Sequence, residues 1–105
     1  MNFSDYQKEA RSTAIYDTVN DRIIYPTLGL TSEAGEVSGK VSKWLRDQTD
    51  LPVDQIAAEL GDTLWFIANL AEDLGLSLEE IAKANISKLK DRKERGVIIG
   101  SGDQR

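Results

Sequence analysis

Apolar residues return at every third or fourth position through two long stretches of the chain. In the first, Leu30, Ala34, Val37, Val41, Trp44 and Leu45 fall on one side of a helix turning about 100° per residue. In the second, Val53, Ile56, Leu60, Leu64, Ile67, Ala71 and Leu74 do the same. Stripes so spaced are the core-facing sides of amphipathic helices. They predict one helix from residue 26 to 46 or 47 and another over 52–74, joined by a short polar link at 48–51. Pro26 and Pro52 suit first helical positions, and Gly75 supplies the stop.

Shorter elements flank this pair. Ser4 and Gln7 have the spacing of a capping box, which predicts a helix over 5–15 with Tyr6, Ala10 and Ala14 inward. Residues 17–25 hold no period and read as a connection; Tyr16 just before it and Tyr25 at its end belong either to the core or to its rim. Ser77 and Glu80 form a second box, opening a helix that reaches residue 92 or 95. Its inner face is Leu78, Ile81, Ala82, Ile86 and Leu89, with Asn85 inside that face and Lys88 and Arg92 beside it. A buried Asn needs partners and paired cations need anions; snorkelling cations or a bound phosphate would meet those needs. Trp65 lies off its helix's stripe and is expected at the surface, as an oligomer contact. Residues 96–105 carry three glycines and are irregular, either a frayed end or a flap whose N–H groups and Arg105 reach a polyphosphate. The fold class is all-α, and no linker divides 1–105 into more than one domain.

The polar side of the two long helices carries one pattern twice. Glu33-Ala-Gly-Glu36 and Glu59-Leu-Gly-Asp62 each set two carboxylates three positions apart, just beside the apolar stripe. If the helices pack antiparallel, all four acids line one cleft edge. Two unit charges about 5 Å apart at an effective dielectric of about 20 repel by roughly 3 kcal/mol, so a converged quartet requires a cation. With oxygen ligands only, that cation is Mg²⁺ or Mn²⁺ rather than zinc or copper. Gly35 and Gly61 sit between the acids of each pair, and mark either close helix packing or room for a ligand beside the backbone.

Composition narrows the chemistry further. The 105 residues are 40% hydrophobic and 30% charged, an ordinary globular balance. A net charge of −5 argues against nucleic-acid and anionic-membrane partners. The chain has no Cys and no His, which excludes disulfides, thiol nucleophiles, Cys-based zinc sites, catalytic triads and a histidine base. It begins without a basic segment followed by an apolar run, and no stretch reaches membrane-spanning length, so the expected location is cytoplasmic.

The doubled acidic motif in matched register, Asn85, Lys88 and Arg92 at their distances from it, and the Gly-Ser-Gly-Asp-x-Arg ending together resemble the MazG-like nucleoside triphosphate pyrophosphohydrolases. These belong to an all-α superfamily that also holds dimeric dUTPases and phosphoribosyl-ATP pyrophosphohydrolases. The resemblance spans about 28–105. It implies an oligomeric four-to-five-helix bundle, a homodimer or homotetramer, that hydrolyses a nucleoside triphosphate to the monophosphate and pyrophosphate, as in nucleotide-pool house-cleaning. Glu33, Glu36, Glu59 and Asp62 would then be the Mg²⁺ ligands and catalytic acids. Lys88 and Arg92 match the family's basic pair, Asn85 its polar partner, and Phe66 the aromatic against the base. Lys40, one turn past Glu36, joins the phosphate contacts by spacing alone. Ser32 stands where many relatives carry another acid, which leaves one carboxylate fewer. Two alternatives follow: a non-catalytic helical interaction module on the same fold, and the phosphoribosyl-ATP enzyme.

Overall fold

The chain enters its first helix earlier than the Ser4 box implies. In the computed structural model, which describes residues 1–105, α1 spans Phe3–Ser12, and Asn2 rather than Ser4 is its cap. The Asn2 carboxamide oxygen accepts the Asp5 N–H at 2.8 Å, the orphan donor of the first turn. Ser4 therefore lies inside the helix. Gln7, freed from capping, turns inward and is buried. Its Nε2 donates to Glu72 Oε2 and to the Leu76 carbonyl, both at 2.9 Å, and its Oε1 accepts the Leu78 N–H at 2.8 Å. This satisfied amide rivets the first helix to a distant turn.

The two long stripes become α2, Ile24–Asp47, and α3, Val53–Asp73. Pro26 is buried in the first turn of α2, where a missing N–H has no partner to lose. Gln48 ends α2 in the left-handed conformation, with its N–H on the Trp44 carbonyl. Gly75 takes a positive φ of 70° after α3, which lets the chain reverse into α4, Leu78–Glu94. Ser77 caps α4 by accepting the Glu80 N–H at 3.2 Å. No strand is present, and no helix is long and apolar enough to cross a membrane.

Pairing is most extensive between α2 and α3, while α1 packs on α3 and more lightly on α4. The small side chain of Ala68, opposite Ala10, lets α1 approach α3 closely, with Leu78 from the start of α4 completing the cluster and Tyr6, Trp65 and Ile67 around it. Trp65 is thus half-buried against this core, and its Nε1–H donates to Thr13 Oγ1 at 2.7 Å. The expected surface tryptophan is corrected: α1 covers the side of α3 that carries Trp65, Ile67 and Ala68. Asn85 is also corrected, being exposed rather than held in the inner face of α4. Only nine residues are buried, and Leu28, Leu45, Val53 and Leu60 are each more than half exposed. The radius of gyration is 16.5 Å, against about 13 Å for a compact chain of this length.

Candidate metal centre and its aromatic wall

The five-residue connection 48–52 makes α2 and α3 neighbours, and three pairings fix them as antiparallel. Lys40 faces Gln55, Glu33 faces Glu59 and Asp62, and Gly29 faces Phe66. Positions on α2 therefore descend as those on α3 rise. Glu33, Glu59 and Asp62 each bring one carboxylate oxygen to within 4.8 Å of the others. Glu36 does not join this set. Three residues on from Glu33 it stands about 60° round the helix, and it is exposed. Of the four expected acids the structure brings three together, and the fourth, Glu36, stands beside them close enough for its charge to act on Glu33.

The trio is electrostatically frustrated. Glu33 is pushed up to about 7, first by sharing a hydrogen bond with Glu59, then by burial and by the charges of Glu59, Asp62 and Glu36. Like charges crowded this closely require a proton or a cation, and three carboxylates fit a hard divalent ion. Lys40 provides one positive group, its Nζ 3.9 Å from Glu59 Oε1 and 3.5 Å from Gln55 Oε1.

Beside the acids lies a cleft of about 360 Å³ lined by Thr13, Glu33, Asp62, Trp65 and Phe66. Its lining is anionic at Glu33 and Asp62 and aromatic at Trp65 and Phe66. Phe66 is held against Gly29, where an added Cβ would stand 2.2 Å from the ring. Trp65 and Phe66 meet edge to face at 5.0 Å, Phe66 meets Tyr25 at 5.6 Å, Tyr25 stacks on Tyr16 at 4.9 Å, and Tyr16 meets Trp65 at 6.5 Å. Four rings thus close on themselves behind the cleft.

A buried polar knot secures those rings. The Asp73 carboxylate, inaccessible to solvent, accepts from Arg11 at 2.7 Å, from the Tyr16 hydroxyl at 2.9 Å and from the Ile23 N–H at 2.9 Å. Burial alone would raise its pKa; the hydrogen bonds from Ile23, Arg11 and Tyr16 outweigh that and hold it below the usual carboxylate range. Thr13 and Asp73 were not singled out by the sequence, and Tyr16 and Trp65 were expected as core-or-rim and oligomer-contact residues rather than as part of this site. Asp62, Asn69 and Asp73 sit seven and four positions apart, within about 20° of one line on the helix, and that second stripe was the available signal.

The remaining sequence candidates lie on α4 and the tail. Lys88 Nζ is 2.8 Å from Asp103 Oδ1, and Arg92, almost fully buried, reaches the same oxygen at 3.1 Å and the Asp103 carbonyl. The cations that demanded an anion therefore have one, from the tail. Arg105 turns back on the tail itself, donating to the carbonyls of Val97, Ile98 and Gly102. Asn85 stands one turn before Lys88 on α4 and is open to solvent.

The sequence profile described as the MazG nucleotide pyrophosphohydrolase domain matches residues 26–97. The chain is also similar to the gene 37 protein of Mycobacterium phage L5, at 44% identity over 114 residues, covering 100% of each chain. No solved structure matches it.

Proposed function

Because the chain belongs to the MazG nucleotide pyrophosphohydrolase domain family, we propose that it hydrolyses a nucleoside triphosphate to the monophosphate and pyrophosphate, using Mg²⁺ or, in its place, Mn²⁺. The observation carrying this is the convergence of Glu33, Glu59 and Asp62 beside a cleft that Glu33, Asp62, Trp65 and Phe66 line together. A triphosphate is polyanionic at one end and a flat ring at the other, and the cleft is complementary to both ends once the acids hold a cation.

The oxygen-only donor set and the mutual repulsion that drives Glu33 to share a proton fit a hard divalent cation. Such an ion would neutralise the phosphates and lower the pKa of a bound water. Glu33, Glu59 and Asp62 would hold it. Glu36, adjacent and exposed, orients the attacking water or takes its proton. Trp65 and Phe66 take the base by stacking, and Lys40, already turned toward the acids, meets a phosphate oxygen. Lys88 and Arg92 bind phosphate in exchange for Asp103, with Asn85 as their polar neighbour.

The apolar side chains left open on α2 and α3, with the extended overall dimensions, support a homodimer or homotetramer. One observation favours the non-catalytic alternative: Ser32 leaves the site a carboxylate short. Multiple turnover separates the two readings. Purified protein with Mg²⁺ and a panel of normal and damaged triphosphates should release pyrophosphate. Glu59→Gln and Asp62→Asn should lower that release by about a hundredfold or more; undiminished release in both variants overturns the proposal.

A further inference from the structure

Asp73 lies at the end of α3, outside the acidic trio. A buried carboxylate with an ionic partner is weak as a source of stability, because desolvation offsets the attraction, and its best-attested use is to fix one arrangement over others. What this one fixes is specific. Its Oδ1 takes Arg11, and its Oδ2 takes both the Tyr16 hydroxyl and the Ile23 N–H. Arg11 in turn donates to the Tyr16 oxygen at 2.8 Å and to Asn69 Oδ1 at 3.3 Å, with its guanidinium 5.7 Å from the Tyr16 ring centre. Ile23, a β-branched residue, is held at a φ of 70°, a conformation such side chains avoid unless their surroundings impose it.

The knot and the cleft are joined through rings. Tyr16 touches both ends of the aromatic set, stacking on Tyr25 and meeting Trp65 at 74°. Tyr25 leans on Phe66, so the two rings that line the cleft are backed by the two that do not. From the α1 side, the Thr13 hydroxyl accepts the Trp65 indole N–H and donates a hydrogen bond to the Ala10 carbonyl. The Tyr16 hydroxyl and the Trp65 indole N–H are thus both committed, and the cleft meets Trp65 and Phe66 beside Thr13.

We propose that Asp73 and Tyr16 are positioning residues for the nucleobase: together they lock the four-ring set so that Trp65 and Phe66 form a pre-set stacking surface. This rests on the triphosphate reading of the cleft for the identity of the ligand. A pre-set wall saves the ordering that loose rings would need on binding. The saving goes to the base end of the ligand, since the phosphate end is met by the acids and their cation.

Equilibrium binding with Ca²⁺ in place of Mg²⁺ tests it, using the four deoxynucleoside triphosphates and inorganic tripolyphosphate as probes. Wild-type protein should bind its best nucleotide more tightly than tripolyphosphate. Asp73→Asn should weaken that nucleotide about tenfold and Tyr16→Phe about threefold or more, with tripolyphosphate changed less than about twofold in either. A merely structural role would weaken both probes alike. Equal losses, no loss, or a wild-type protein that binds nucleotide no better than tripolyphosphate overturns the proposal. If Asp73→Asn does not fold, Tyr16→Phe, which keeps the ring and removes only the hydroxyl, decides alone. Base-dependent binding without pyrophosphate release would defeat the pyrophosphohydrolase assignment and leave this one standing.

Discussion

Gly29 and Phe66 occupy the same small space between α2 and α3: a Cβ on the glycine would stand 2.2 to 2.6 Å from three atoms of the ring. Gly35 and Gly61, between the paired acids, would meet nothing within 4 Å. Replacing a helical glycine by alanine ordinarily gains about 0.5–1 kcal/mol, whereas forcing a ring from a packed site costs about 1–3 kcal/mol. Phe66 has little freedom to swing away, being braced by Tyr25 and Trp65. Gly29→Ala should therefore lower the urea midpoint, while Gly35→Ala and Gly61→Ala should leave it unchanged or raise it. A Gly29→Ala protein as stable as the wild type would refute the close contact. If Gly61→Ala is stable but turns over poorly, the open space beside that backbone serves the ligand.

Added metal should stabilise the protein, and the acids should divide in how they respond. A ligand at a hundred times its dissociation constant adds about 2.7 kcal/mol to the folded state. Wild-type melting temperature should rise with Mg²⁺ or Mn²⁺. Glu33→Gln and Glu59→Gln remove a member of the crowded trio. Each should melt higher than wild type in chelator and gain little from metal. Glu36→Gln, outside the trio, should keep most of the metal-induced rise while losing turnover. A Glu36→Gln protein that no longer responds to metal would return that residue to the ligand set.

Asp73 links stability to pH with a definite sign. Its pKa in the folded protein is depressed, since hydrogen bonds from Ile23, Arg11 and Tyr16 prevail over burial. The folded state therefore binds that proton less readily than the unfolded chain. The resulting stability is present above the unfolded carboxyl value near 3.8 and drains away as pH falls below it toward the depressed value. Urea titrations of wild type and Asp73→Asn should differ by about 1–3 kcal/mol at neutral pH, and the gap should narrow under acid. A gap that stays constant down to the lowest pH at which both fold would contradict the linkage.

Asp103 holds the tail to α4 through Lys88 and Arg92, which keep its carboxyl below its ordinary range by direct hydrogen bonds. The Asp103 side chain is largely exposed, so salt should weaken the tie. Asp103→Asn should speed amide exchange and proteolysis across 97–105 and leave the urea midpoint of the helices where it was. Unchanged protection in that variant would show that Arg105, which gathers three tail carbonyls, closes the loop unaided.

The helical framework was legible because its determinants are local. The stripes of α2 and α3, the prolines near their starts, Gly75 and the Ser77 cap each act within a turn or two of their own position. The family resemblance, too, was visible in the doubled acids. What escaped depended on distant neighbours. Ser4 and Asn2 are both competent caps, and geometry alone gave the place to Asn2. Trp65 looked exposed because α1, far away in sequence, covers it. Tyr16 lies in a segment without periodicity, and its role follows from Asp73 reaching across 57 positions. Glu36 has the right spacing and the right helical level; the rotation of α2 against α3 is what takes it out of the trio.

That same framework leaves much apolar surface uncovered, and its distribution bears on assembly. Leu28 and Leu45 on α2, Val53 and Leu60 on α3, and Ile86 on α4 are each more than half exposed. Apolar burial contributes about 25 cal/mol per Å², so leaving such side chains in water forgoes a large share of what a chain of this length can gain. A small domain in this position is stabilised by a second copy. Light scattering at micromolar concentration should report at least a dimer, and thermal stability should rise with protein concentration, as it must when folding and association are linked. Leu45→Lys and Leu60→Lys each place a charge on these faces without touching the carboxylates of the trio. At least one should shift the equilibrium toward monomer and lower the melting temperature. A wild-type protein that stays monomeric, with a concentration-independent melt, would mean that the extended subunit is stable unaided and that these side chains face solvent.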